Sequence, residues 1–160
     1  MERGKMRVAV IDLGTHNALL MIAEIQGKNF SILRQEQRII ALGKGIGSTG
    51  RILDESVKWA VEALKEYREI AKSYGVEKVK LAATAVLRDP INASDVVKKI
   101  ESGSGFTPYV ISGEEEARYV YLAGCRTFSY PSEKTVIDIG GGSVEFVQGC
   151  DSAISRAHSL

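Results

Sequence analysis

Hydrophobic and polar positions change rhythm along the chain, and each change marks an element. Arg7 to Asp12 is a short apolar run ending in an acid and reads as a strand. A tight turn through Gly14-Thr-His16 follows, and Asn17 to Ile25 reads as a second strand. Gly27-Lys-Asn29 is a turn and Phe30 to Ile39 alternates, so the opening is an antiparallel three-strand meander. From Asp54, read as an N-cap, to about Ser73 the period becomes helical. Val57, Ala60, Val61, Leu64, Tyr67 and Ala71 share one stripe, while Lys58, Glu62, Lys65, Glu66 and Glu69 face water. Trp59 lies off the centre of that stripe, a position open to an inter-domain contact.

Val79 to Thr84 reads as a buried strand, Ala93 to Glu101 as a helix and Thr107 to Ile111 as a short strand. Ser112 to Gly124 is a third helix with Glu114, Glu115 and Glu116 in its first turn, where the helix dipole favours anions. Those acids are either capping charges or include one glutamate that orients an attacking water. Ser129-Tyr-Pro-Ser132 is a turn and the expected domain boundary. Val136, Ile137 and Ile139 form an apolar run expected to be a strand buried on both faces, with Asp138 inside it. An unpaired carboxylate there would cost several kcal/mol. Val144 to Val147 alternates as the next strand, and Ser152 to His158 reads as one more.

The two strand–glycine–strand stretches carry the candidate chemistry. Val10-Ile-Asp12 and Val136-Ile-Asp138 are the same tripeptide, each followed by an aliphatic residue, a glycine and another strand. The tripeptide alone recurs readily by chance; the shared turn and second strand point to two related lobes, each opening with a phosphate-binding hairpin. Glycines let backbone N–H groups converge on a ligand without a Cβ in the way, and an acid at the strand end suits phosphate held with a divalent cation. The glycine-rich stretch Leu42 to Gly50 lacks the Lys-Ser/Thr ending of a P-loop, and no crossover helix begins directly at its last glycine. It reads as a connection or cleft rim. Arg88, just past a strand end, is equally a surface arginine or a ligand-facing one.

Composition narrows the setting. The chain has 160 residues, 44% of them hydrophobic, and a formal net charge of +1 with acids and bases interspersed. That balance carries no footprint of nonspecific nucleic-acid or membrane binding. Cys125 and Cys150 are far apart without metal-ligand spacing and read as reduced thiols of a cytoplasmic protein, a single disulfide being the alternative. No apolar run approaches the ~20 residues that cross a bilayer.

Asp12-Leu-Gly-Thr-His-Asn17, Ala83-Thr-Ala-Val-Leu-Arg88, Ser112-Gly-Glu-Glu-Glu-Ala-Arg118 and Val136-Ile-Asp-Ile-Gly-Gly-Gly-Ser143 stand in one order and spacing. Together they resemble the exopolyphosphatase / guanosine pentaphosphate phosphohydrolase (Ppx/GppA) family of the actin–sugar kinase–heat-shock-70 superfamily, over nearly the whole chain from Met6. The resemblance implies an α/β, ribonuclease H-like, actin/hexokinase-type lobe: a mixed sheet with an antiparallel meander and strand–helix crossovers, over residues 6–130. The opening strands of a second, truncated lobe follow over 131–160, with the active site between lobes.

The same resemblance implies hydrolysis of terminal phosphoanhydrides of inorganic polyphosphate and/or guanosine pentaphosphate, with polyphosphate or guanosine penta- or tetraphosphate as the bound partner. Asp12 and Asp138 match the aspartates that hold Mg²⁺, or another divalent cation, through water. Gly14, Thr15, Gly140, Gly141, Gly142 and Ser143 match the phosphate-binding turns. Arg88 matches an arginine that neutralises phosphate, and Glu116 the residue that positions or deprotonates water. Glu115 and Glu145 are nearby acids without a defined part. Two departures bear on substrate preference: Thr15-His16-Asn17 stands where the family commonly has Ser-Asn-Ser, and Val144 stands where it has threonine. His16 and Asn17 thereby join the candidate phosphate-binding residues, with His16 either contacting phosphate or metal or filling the turn.

Few strands follow the second hairpin, and two or three without a covering layer are marginal. The expectation is therefore an N-terminal portion of a longer enzyme, inactive alone, or a chain completed by another copy; a homodimer stays open. A phosphate- or alarmone-binding regulatory module and a kinase of the same fold are the rival readings.

Overall fold

The computed structural model describes residues 4–128 and 133–160. The chain divides into two compact units, residues 1–110 and 111–160. The division drawn from sequence at 130/131, and the turn expected at Ser129–Ser132, lie outside the described residues.

The first unit is a five-stranded mixed sheet in the order β3-β2-β1-β4-β5. β1 (Met6–Leu13), β2 (Asn17–Gln26) and β3 (Asn29–Ile39) are the antiparallel meander, and β4 (Lys78–Ala83) and the short β5 (Tyr109–Val110) add in parallel. Alternation sends Ile11 and Leu13 of β1 and Leu20 and Ile22 of β2 to one face, where α2 (Asp54–Ser73) buries them against Leu64 and Tyr67. Tyr67 is fully buried because its hydroxyl has a partner, the Ala18 carbonyl at 2.7 Å. The helical stripe is the expected one except that Val61 is only partly buried, and Ser56 and Ala63 join it. The opposite sheet face is partly open, with a depression of about 570 Å³ lined by Val10, Asp12, Leu19, Met21, Gln35 and Gln37.

Several boundaries shift for local reasons. Leu53 is the N-cap of α2; Asp54, expected as the cap, is the first helical residue and pairs with Lys99 at 2.7 Å. α3 (Ala93–Ser104) runs three residues past Glu101 and stops at Gly105, whose φ of 76° only glycine adopts readily. Within the glycine-rich stretch lies a four-residue helix, α1 (Ile46–Thr49). Trp59 is exposed with the Lys44 ammonium 5.7 Å from its ring centre. No helix among the described residues is long and apolar enough to cross a membrane.

The second unit is α4 (Gly113–Thr127) packed on the antiparallel sheet β6-β7-β8, formed by Glu133–Ile139, Val144–Cys150 and Ala153–Ser159. Ala117 and Tyr121 of α4 close over Val136 and Val147. Gly149 lies under the Tyr121 ring, a contact that requires a missing Cβ, and Gly124 of the helix lies over Val136, where a Cβ would be tight.

The expectation of a strand buried on both faces fails at β6. Ile137 and Ile139 are 58% and 78% exposed and Asp138 is exposed as well. α4 covers one face of this sheet, and β6 is an edge strand, so its apolar run is not doubly buried. Asp138 consequently bears no burial cost. The buried carboxylate is its cross-strand partner Glu145, 1% exposed.

Candidate active site

The two hairpin turns are built alike. Gly14 N donates to Asn17 O at 3.0 Å, and Gly140 N donates to Ser143 O at 2.9 Å. A Cβ on Gly14 would stand 3.3 Å from the Asn17 carbonyl, and one on Gly140 3.2 Å from the Ser143 carbonyl. The first glycine of each turn is therefore set by close backbone approach. Each turn has an aspartate two residues before it, Asp12 or Asp138, and ends on a polar side chain, Asn17 or Ser143. The correspondence breaks at one place: Leu19 lies opposite Asp12, whereas Glu145 lies opposite Asp138.

In the first unit, Asp12, Asn17 and Arg88 come to one end of the sheet. β1 and β4 run parallel with Leu13 beside Ala83, and Thr84 N donates to Leu13 O at 3.3 Å. Both the Gly14 turn and the 3₁₀ turn Ala85–Leu87 that ends at Arg88 thus leave the carboxyl ends of parallel strands, the usual ligand end of such sheets. Asp12 and Asn17 lie on the same sheet face, diagonally across the strand pair. Asn17 Oδ1 is buried with no hydrogen-bond partner among the described residues, an acceptor the fold leaves unused.

The glycine-rich stretch braces this turn. Gly43 N donates to Thr15 O at 2.8 Å, and Ile40 N and Ala41 N both donate to His16 O, at 2.9 and 3.0 Å. A Cβ on Gly43 would collide with the Thr15 methyl. The His16 side chain is exposed.

In the second unit, Asp138, Glu145 and Ser159 are cross-strand partners in one row of the sheet. The next row on that face, Val136, Val147 and Ala157, lies under Ala117 and Tyr121, so the polar row lies towards the first turn of α4. Ser159 Oγ donates to Glu145 Oε1 at 2.9 Å. That first turn carries a capping box: Ser112 Oγ accepts from Glu115 N at 3.1 Å, and Glu115 Oε2 accepts from Ser112 N at 3.0 Å. Glu115 therefore caps the helix, while Glu116 is half-buried one residue on.

A family model described as the Ppx/GppA phosphatase family matches residues 21–160. The chain belongs to the Ppx/GppA phosphatase family. Among solved members, an Aquifex aeolicus Ppx/GppA protein is 35% identical, with a TM-score of 0.86 over 98% of this chain and 51% of its own. An exopolyphosphatase from Cytophaga hutchinsonii is 30% identical, with a TM-score of 0.89 over 97% of this chain and 50% of its own. The chain thus spans about half the length of these relatives. MreB5 of Spiroplasma citri, at 21% identity and a TM-score of 0.52, shares the actin-like fold alone.

The Ppx/GppA chain has no group of three or more His, Cys, Asp or Glu placed to hold a metal ion among the described residues. The unused Asn17 Oδ1, on the same sheet face as Asp12, is an acceptor open to a donor from outside the described residues. Two features of this Ppx/GppA site do not follow from sequence alone. Ser159 gives no signal there, because a serine in an alternating strand is unremarked by its pattern. Glu145 reads as an acid without a part, although its spacing from Asp138 across a three-glycine turn makes the two direct partners.

Proposed function

We propose that this chain carries phosphate-handling elements of a hydrolase that removes terminal phosphate from inorganic polyphosphate or guanosine pentaphosphate. The observation that supports it is the paired glycine turns, closed by the same Gly14–Asn17 and Gly140–Ser143 hydrogen bonds and each preceded by an aspartate. Free backbone N–H groups of such turns bind phosphate oxygens without discriminating what lies further along the substrate. Gly14, Thr15, His16 and Asn17, and Gly140, Gly141, Gly142 and Ser143, are the binding segments. Asp12 and Asp138 are the residues that would hold Mg²⁺, and the ion would offset phosphate charge when bound.

Arg88 supplies a permanent positive charge for the terminal phosphoryl group. Glu116 takes a proton from water as its oxygen attacks the terminal phosphorus, and the bond to the bridging oxygen breaks, releasing the shortened chain. Glu145 is a second carboxylate, held by Ser159 beside Asp138. Positioning and electrostatics supply most of the acceleration in such transfers. Glu116→Gln in the complete protein with Mg²⁺ is expected to lower phosphate release from polyphosphate by about 10²-fold or more at unchanged substrate affinity. Unaltered turnover removes Glu116 from this part, and binding without release by the wild type favours a sensing module instead.

A further inference from the structure

Ser159 touches two elements at once. Its hydroxyl donates to Glu145 Oε1 at 2.9 Å across the β7–β8 pair. On its other side stands Gly113, the first residue of α4: a Cβ there would lie 2.8 Å from Ser159 Cβ and 2.9 Å from its Oγ. The strand backbone around it is pinned, since Val144 N donates to Leu160 O and Leu160 N to Val144 O, both at 3.0 Å. A serine hydroxyl ordinarily samples three staggered wells. Here the residue is exposed, and its hydroxyl is held by the Glu145 carboxylate and borders Gly113 of the helix. Glu145 is nearly inaccessible, and the Ser159 hydroxyl occupies its Oε1.

We infer that Ser159 is a positioning residue for the phosphohydrolase reaction, acting through Glu145 and touching no substrate itself. This rests on the proposed function above. Gly113 has a linked part: its missing side chain keeps the hydroxyl on Glu145 while the helix that carries Glu116 begins immediately above. The first turn of α4 and the β7 carboxylate are thereby set by one small contact.

The test uses the complete protein with Mg²⁺ and polyphosphate. Ser159→Ala is expected to lower kcat by about 10-fold, the scale of a lost hydrogen bond to a charged group. KM stays at the wild-type value, while the thermal midpoint falls because the buried carboxylate loses its donor. In a Glu145→Gln background the same change is expected to cost nothing further, because a double-mutant cycle reports coupling through the shared partner. Should Ser159→Ala not fold, Gly113→Ala, whose methyl meets Ser159 Cβ and Oγ, is read in the same two backgrounds and is expected to lower kcat in the wild type but not further in Glu145→Gln. Unchanged kcat in an active enzyme, a loss confined to KM, or an equal loss in the Glu145→Gln background overturns the positioning role alone. A wild type that releases no phosphate from polyphosphate or guanosine pentaphosphate overturns the hydrolase reading and this inference together.

Discussion

The Tyr121 hydroxyl lies 2.7 Å from the point where a Cβ on Gly149 would stand, and the Ala153 carbonyl is closer still. The ring rests directly on the β7 backbone, and α4 owes its seat on the sheet to that bare position. Gly149→Ala is expected to destabilise the fold by about 1–3 kcal/mol through overpacking, read as a lowered midpoint in thermal unfolding followed by circular dichroism.

Glu145 is a charged group kept in the interior with the Ser159 hydroxyl donating to it, an arrangement that function explains better than stability does. Leu19 occupies the corresponding place in the first hairpin. Glu145→Leu is expected to leave the unfolding midpoint unchanged or higher while phosphate release falls by about 10²-fold or more. A lowered midpoint would count the carboxylate as structural.

Gly43→Ala drives a methyl against the Thr15 side chain and presses on the first phosphate turn from behind. Calorimetric titration with tripolyphosphate is expected to show affinity weakened by about 10-fold, as a misplaced contact costs. An unaltered isotherm would detach the Gly43 loop from ligand binding.

Burial pushes the Tyr67 hydroxyl from 10.0 up to about 12. A raised value means that the folded state holds its proton longer than the unfolded chain does. The stability it contributes is complete below pH 10 and is lost as pH climbs through about 12. Tyr67→Phe forfeits the hydrogen bond to Ala18 and is expected to be about 1 kcal/mol less stable at neutral pH. Urea unfolding across the alkaline range is expected to show that gap closing. Tyr121, also raised to about 12 chiefly by burial, leaves a similar decline in both proteins.

The meander, the α2 stripe and the crossover to β4 are legible in the sequence because period and turn residues agree over long windows. The paired hairpins are legible because the repeated Val-Ile-Asp comes with its glycines. What fails is local accounting of burial. Ile137 and Ile139 read as interior from their own chemistry, yet exposure depends on which face a helix covers, and only α4 covers this sheet among the described residues. Asp54 looks like a cap because acids favour that place; Leu53 takes it, and the carboxylate goes to Lys99. The Ser159–Glu145 contact joins residues fourteen apart on neighbouring strands and follows only from the register of the β7–β8 pair.

The Gly14 turn is tied through His16 O to Ala41, and Ala41 O in turn accepts from Ser56 Oγ of α2 at 2.8 Å. Ala41 holds a φ of 47°, a left-handed setting that an alanine adopts only when its surroundings insist. Turn, loop and helix consequently travel as one block. For the proposed phosphate at Gly14 the turn is already braced by these bonds, and hydrogen–deuterium exchange at the Ala41 and Gly43 amides is expected to be slow before any phosphate is added.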